Sequence, residues 1–193
     1  MSLGFLVSGF VITNQILKFL KGYDLVEDLP LFLCALMGLI IPLFTVSRKY
    51  WMFEILLFWV FAGTLQAVIT PDIDTGFPTF NFIRYWVLHA GLILIMFYAF
   101  FVFKMKPSLK SLWKSFGALQ IYVVSMFLIN YLLGSNYFYL NKKPDSATLL
   151  DLFGPWPVYL LVTELMILPF FFAIYFLFNI KRKPISQTTA PNP

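Results

Sequence analysis

Six long apolar runs decide what this chain can fold into. They lie at roughly 3–20, 30–47, 51–69, 82–103, 112–133 and 156–180. A bilayer core is ~30 Å thick, and a helix needs about 20 mostly apolar residues to cross it. Asn14, Gln15 and Lys18 interrupt the first run; the other five are nearly unbroken. Of the 193 residues, 60% are apolar and only 12% charged, about half the charge density of a soluble domain. That balance excludes a soluble enzyme and a disordered chain, and a single Cys excludes a disulfide scaffold. Lipid offers backbone groups no partners, and the runs lack the alternation of barrel strands, so the spans are read as helices. The expected fold is all-α: a polytopic membrane protein with a bundle of six transmembrane helices. A single domain over 1–183 is followed by a disordered polar tail, 184–193. No basic region precedes the first run and no small-residue cleavage site follows it, so it reads as a helix and not a signal peptide.

The punctuation between the runs agrees. Asp28 and Pro30 are expected to open the second helix as N-cap and first-turn proline. Thr70-Pro71-Asp72 and Gly76-Phe77-Pro78 separate the third and fourth. Gly154-Pro155-Trp156-Pro157 is expected to open the sixth, with Pro42 and Pro169 inside helices. With six spans, one side of the membrane receives Arg48, Lys49, Lys104, Lys106, Lys110, Lys114, Lys181, Arg182 and Lys183. The other receives five cations, Lys18, Lys21, Arg84, Lys142 and Lys143, with Asp24, Glu27, Asp28, Asp72, Asp74, Asp145 and Asp151. Cations favour the cytoplasmic side, so both termini are expected there. The net charge of +5 falls in short clusters between apolar runs, which is no nucleic-acid signature.

Polar residues inside the spans are costly and each asks for a reason. Cys34, His89, Gln66, Asn130 and Glu164, with Asn14 and Gln15, all fall about 5–13 Å from the outer boundary, counted at the helical rise. That shared depth suggests a polar cavity opening toward the outer leaflet. Each member also has a structural reading: a lone membrane Cys is commonly a small packing residue, and a lone His or Asn binds helix to helix. Glu164 is the hardest to accept as structure and is expected to lie buried against this cluster, with His89 a candidate partner. Glu54 lies apart, one turn from the cytoplasmic face, within reach of interfacial water. Asp72 to Gly76 resembles the opening of a calcium loop, but its Gly comes one residue early and Ile83 stands where the bidentate Glu belongs. One Cys with one His is too few for zinc, and no phosphate loop occurs, so neither a metal nor a cofactor is expected. What remains is a nucleophile, a base and amide donors, the minimum kit for acyl transfer.

Several linear motifs carry a resemblance. They are Leu29-Pro30-Leu31-Phe32-Leu33-Cys34, Phe53-Glu54, Phe58-Trp59, Ala62-Gly63-Thr64-Leu65-Gln66-Ala67, Thr70-Pro71-Asp72 and Gly76-Phe77-Pro78. With them stand His89-Ala90-Gly91, Asn130 with Gly134-Ser135-Asn136-Tyr137, Lys143-Pro144, and Leu149-Leu150-Asp151-Leu152-Phe153-Gly154-Pro155-Trp156-Pro157. From about residue 28 to 165 the chain resembles the YwaF-type family of bacterial integral membrane proteins. More distantly, it is similar to eukaryotic membrane lipid acyltransferases that use one Cys and one His. The resemblance implies a bacterial plasma-membrane protein and a catalytic pair at Cys34 and His89; that family tends to carry one more helix, ahead of the first run seen here. Phe32 stands where that family usually has His. The resulting expectation is transfer or hydrolysis of a lipid acyl chain through a Cys34 thioester, with phospholipid or lysophospholipid as partners. His89 is the expected base, Gln66 and Asn130 oxyanion donors, and Glu164 the group that orients His89. The alternatives are a non-catalytic protein that binds or conducts a small solute or lipid through the same cavity, and a structural partner of another membrane protein.

Overall fold

The computed structural model describes residues 1–73, 75–145 and 148–180. Asp74, the cations Lys181, Arg182 and Lys183, and the expected tail at 184–193 lie outside the described residues. Six helices follow one another: α1 (Ser2–Lys21), α2 (Leu33–Ser47), α3 (Tyr50–Ile69), α4 (Phe80–Phe101), α5 (Leu109–Leu133) and α6 (Val158–Asn179). No strand occurs among the described residues. Five of the helices are long and apolar enough to cross a membrane, and the sixth, α2, is apolar but shorter. The chain is an all-helical polytopic membrane protein.

Local chemistry sets the helix ends. Ser108 caps α5: its hydroxyl accepts from the Ser111 N–H at 3.1 Å, and the Ser111 hydroxyl accepts from the Ser108 N–H at 3.0 Å. Thr79 caps α4 by accepting from the Phe82 N–H. α5 stops at Gly134, whose φ of 68° places it in the left-handed region that glycine enters without a Cβ clash.

Two expected helix starts move. α2 begins at Leu33 with Phe32 as its N-cap, not at Asp28 and Pro30. The Asp28 carboxylate is taken elsewhere, by Lys18 Nζ at 2.7 Å and the Asp24 N–H at 2.9 Å. α6 likewise begins at Val158 with Pro157 as its N-cap, so both prolines precede the helix. At 15 residues, α2 spans only about 22 Å, well short of the bilayer core, and its N-terminal end is recessed.

The loops meet in two groups. At one end, the Leu29 N–H donates to the Tyr137 hydroxyl at 3.0 Å, and that hydroxyl donates to the Leu25 carbonyl at 2.8 Å. At the other, Tyr50 donates to the Lys106 carbonyl at 2.6 Å, Asn179 donates to the Pro107 carbonyl, and Arg48 lies over the Phe103 ring. The first end carries the described loop acids and the second the basic loops, so the helices run alternately up and down.

Lipid is as apolar as the side chains it surrounds, so close packing and interhelical hydrogen bonds hold such a bundle together. α1 lies against α2 and α4 at glycines. A Cβ on Gly38 would sit 2.6 Å from Leu88 Cδ1, and one on Gly91 would collide with Val7. α3 and α5 are joined by Glu54, which Lys114 pairs and the Ser111 hydroxyl donates to at 2.8 Å. The expectation that Glu54 reaches interfacial water is therefore corrected: it is buried between two helices. α6 turns Phe171, Ile174 and Phe178 inward onto Phe58, Phe61 and Phe97 and leaves most of its surface exposed.

Candidate functional site

Cys34 is the second residue of α2, so its thiol sits in the recessed first turn. The first turn of a helix leaves its N–H groups without helical acceptors. Here Leu36 donates to the Phe32 carbonyl, while the N–H groups of Leu33, Cys34 and Ala35 have no backbone acceptor among the described residues. Aligned peptide dipoles add positive potential at this point, which favours an anion there. The half-buried sulfur lies 3.7 Å from Thr64 Oγ1.

Thr64 owes its place to an irregularity in α3. Residues Val60–Thr64 form a single π-turn, an extra residue in the helical path that redirects the side chains beside it. Gly63 in the same turn lets Leu33 come close: a Cβ there would lie 3.3 Å from Leu33 Cδ2. Thr64 is completely buried. The phenols of Tyr85, Tyr122 and Tyr139 lie within electrostatic range of the thiol. Tyr122 is tied to the Leu31 carbonyl at 2.6 Å and Tyr85 to the Ala67 carbonyl at 2.7 Å. Tyr139 lies in a short turn over the recessed end of α2. Burial first, then the Asp72 carboxylate and the Cys34 thiol, push its phenol up to about 12. Phe32 packs against Tyr137 and Tyr139, with ring centroids 5.4 and 5.3 Å apart.

His89 is buried in α4, one turn below Tyr85. Its Nδ1 lies 2.7 Å from the Tyr85 carbonyl, and the two ring centroids are 4.1 Å apart with the planes tilted by 37°. A carbonyl only accepts, so Nδ1 must carry the proton, and in the neutral ring Nε2 holds the lone pair. Cys34 and His89 share no hydrogen bond: the thiol pairs with Thr64, and Tyr85 is the common neighbour of the two. Gln66 follows Thr64 by two residues, and its buried Oε1 has no hydrogen-bond partner among the described residues.

The other two expected members lie apart from this group. Asn130 accepts from the Ser135 hydroxyl and the Tyr137 N–H, both at 2.8 Å, and donates to the Tyr137 carbonyl at 2.9 Å. Its amide holds the loop that carries Tyr137 and Tyr139. Glu164 is exposed on the outside of α6 and accepts from Gln120 Nε2 at 2.7 Å. The expectation that it is buried beside His89 is corrected, because α6 is turned so that its phenylalanines, not its carboxylate, face the bundle.

Two hollows open at the acid-bearing end and share Asp72. One, of about 220 Å³, also has Asn136, Tyr139, Lys142 and Lys143 in its wall. The other, of about 150 Å³, is walled by Arg84, Tyr85 and Asn81. Tyr139 and Tyr85 therefore each face a hollow while lying near the thiol. Among the described residues, no group of three or more His, Cys, Asp or Glu is placed to hold a metal ion.

With this arrangement in view, the chain was compared with known proteins. Residues 1–175 match the TMEM164 family, a family of membrane proteins. The chain belongs to the TMEM164 family. No curated protein and no solved structure matches it. In this TMEM164-family chain, sequence reasoning singled out Cys34, His89 and Gln66 but missed Thr64 and the three tyrosines. Thr64 and Tyr85 stand two residues from Gln66 and four from His89. Nothing in the linear pattern separates them from the other hydroxyl side chains of the spans.

Proposed function

We propose that this protein is a membrane lipid acyltransferase or acyl hydrolase in which Cys34 is the nucleophile and His89 the base. The observation that carries the reading is the position of Cys34 in the first turn of α2. It is the chain's only thiol, it lies among unpaired N–H groups at the positive end of a helix, and a fully buried hydroxyl stands beside it. Helix N-termini favour the thiolate over the thiol. The imidazole is held in the tautomer that leaves Nε2 ready to accept a proton.

In the first step Cys34 Sγ attacks the carbonyl carbon of a phospholipid ester. The S–C bond forms as the thiol proton passes to His89 Nε2. The anionic oxygen is met by N–H groups of the α2 first turn and the Gln66 amide. Breaking the C–O bond releases lysolipid, whose oxygen takes the imidazolium proton. A lysolipid hydroxyl or water then gives its proton to Nε2 and attacks the thioester, restoring the thiol. The side chain of Cys34 must turn from Thr64 toward the imidazole for this chemistry. Asn130 serves by fixing the Tyr137–Tyr139 turn above the thiol, with one amide N–H donated to the Tyr137 carbonyl. The cation asymmetry of the sequence supports an orientation with both termini cytoplasmic; a bacterial plasma membrane rests on the resemblance alone.

The second reading is a non-catalytic membrane protein that binds a small solute or lipid. It is favoured by the thiol's pairing with Thr64 and by the charged hollows around Asp72.

The test uses the purified protein in mixed phospholipid bilayers, with lysolipid release, acyl exchange and a hydroxylamine-labile acyl group on Cys34 as readouts. Groups that act as a unit give non-additive losses, so Cys34→Ala, His89→Ala and the double variant are expected to be about equally inactive. Full exchange by Cys34→Ala, or no turnover of any lipid by the native chain, overturns the acyl-transfer reading in favour of binding.

A further inference from the structure

The outward side of α5 and α6 carries two features that the bundle itself does not use. The first is the Gln120–Glu164 pair. Glu164 lies about 9 Å along α6 from Val158, and Gln120 about 16 Å along α5 from Leu109, so the pair stands well inside the hydrocarbon. An acidic side chain at such a depth is costly to insert and ordinarily faces the bundle interior or a partner. This one is exposed and receives a single hydrogen bond among the described residues. Glu164 Oε2, the second N–H of Gln120 and Gln120 Oε1 have no partner among the described residues.

The second feature is Gly117, one turn from Gln120 on α5. A Cβ there would meet nothing within 4 Å. Glycine in a helix interior is less favourable than alanine, and here its smallness admits no neighbour from the same chain. Gly38 and Gly91 differ, because other helices fill the space above them. Within lipid, small residues mark places where a second helix backbone approaches. Gly117, Gln120, Ile121 and Val124 lie on one face of α5 by helical spacing, and Ile121 and Val124 are exposed.

We propose that this face is a self-association interface, where a second copy of the chain packs about a two-fold axis. Gly117 allows the close backbone approach, and two Gln120–Glu164 pairs hydrogen-bond across the axis. The occupant is a second copy because the pair offers unfilled donors and acceptors together, which makes it complementary to itself under a two-fold. A lipid tail supplies neither. The inference does not depend on the acyl-transfer reading.

The experiment is single-molecule photobleaching of the labelled full-length protein in liposomes, over a wide range of dilution in lipid. The wild type is expected to dimerise. Glu164→Leu and Gly117→Leu are each expected to weaken dimerisation about tenfold, the effect of removing two symmetry-related interhelical hydrogen bonds or of holding the two backbones apart. Ile12→Leu, on the exposed surface of α1, is expected to leave it unchanged. In a Cys34→Ala background, Ile121→Cys is expected to cross-link to its own copy and Ile12→Cys is not. Gly117→Leu, checked for native helicity, keeps the test decisive if Glu164→Leu misfolds. A monomer at every dilution, a dimer indifferent to both substitutions, or cross-linking through Ile12 in place of Ile121 overturns the proposal.

Discussion

Glu54 and Glu164 both stand inside membrane helices, and the chain treats them in opposite ways. Glu54 is closed between α3 and α5, where Lys114 neutralises it and Ser111 fills one of its oxygens. Glu164 sits outside α6 with one amide for company. The same contrast separates Gly38 and Gly91, pressed by neighbouring helices, from Gly117, which faces open space. An intramembrane polar group or glycine thus has no fixed meaning. For Glu54, Gly38 and Gly91 the chain supplies its own partners; on the outward side of α5 and α6 it leaves Gly117 and Glu164 open.

The largest expected effect that would test this contrast is at Glu54. Replacing it with Leu leaves the half-exposed Lys114 and the buried Ser111 hydroxyl without their acceptor, which together cost about 2–3 kcal/mol. Thermal unfolding in detergent should show a clearly lowered midpoint, and an unchanged one would abolish the distinction between the two glutamates. Gly91→Ala comes next: overpacking a tight helix contact costs about 1–3 kcal/mol, read as weakened protection of α1 in hydrogen exchange. Gly117→Ala should act with the opposite sign. With the protein diluted to monomer, it should stabilise by about 0.5–1 kcal/mol through helix propensity alone, and a loss of that size would mean that a neighbour does occupy the space.

The smallest effect concerns Asp28, a carboxylate outside the spans whose partners are also internal. The hydrogen bond from Lys18, and next that from the Asp24 amide, hold its carboxyl below the ordinary value. A lowered folded value means that the contribution is present above the unfolded value of about 3.9 and is lost as pH falls through the folded one. Hydrogen exchange in the 22–28 loop should therefore quicken below about pH 4, and Asp28→Asn should remove that dependence.

The helices were legible because bilayer thickness translates directly into run length. All six runs match their helices to within about three residues at each end. The cap of α2 was not legible, because Asp28 has the composition of a cap but is drawn to Lys18 by a contact between loop and helix. The face of Glu164 was not legible either. Depth can be counted along a helix, but α6 is apolar on every side and gives no stripe to show which way it turns. For the site, the one thiol and the one imidazole drew attention by their rarity. Their surroundings did not, since the π-turn that ends at Thr64, beside Cys34, has no linear signature.

That π-turn has a further consequence for how such a chain can change over generations. One surplus residue within an otherwise regular helix is a length difference that the helix absorbs without breaking. Deleting a single residue from 60–64 would let α3 relax to a uniform spiral with the turns on either side kept near their present facing. What would be lost is the local widening that sets Thr64 beside the thiol, although the helix on either side was retained. In this stretch, chain length is itself a determinant of chemistry, and gaps between relatives here matter as much as substitutions.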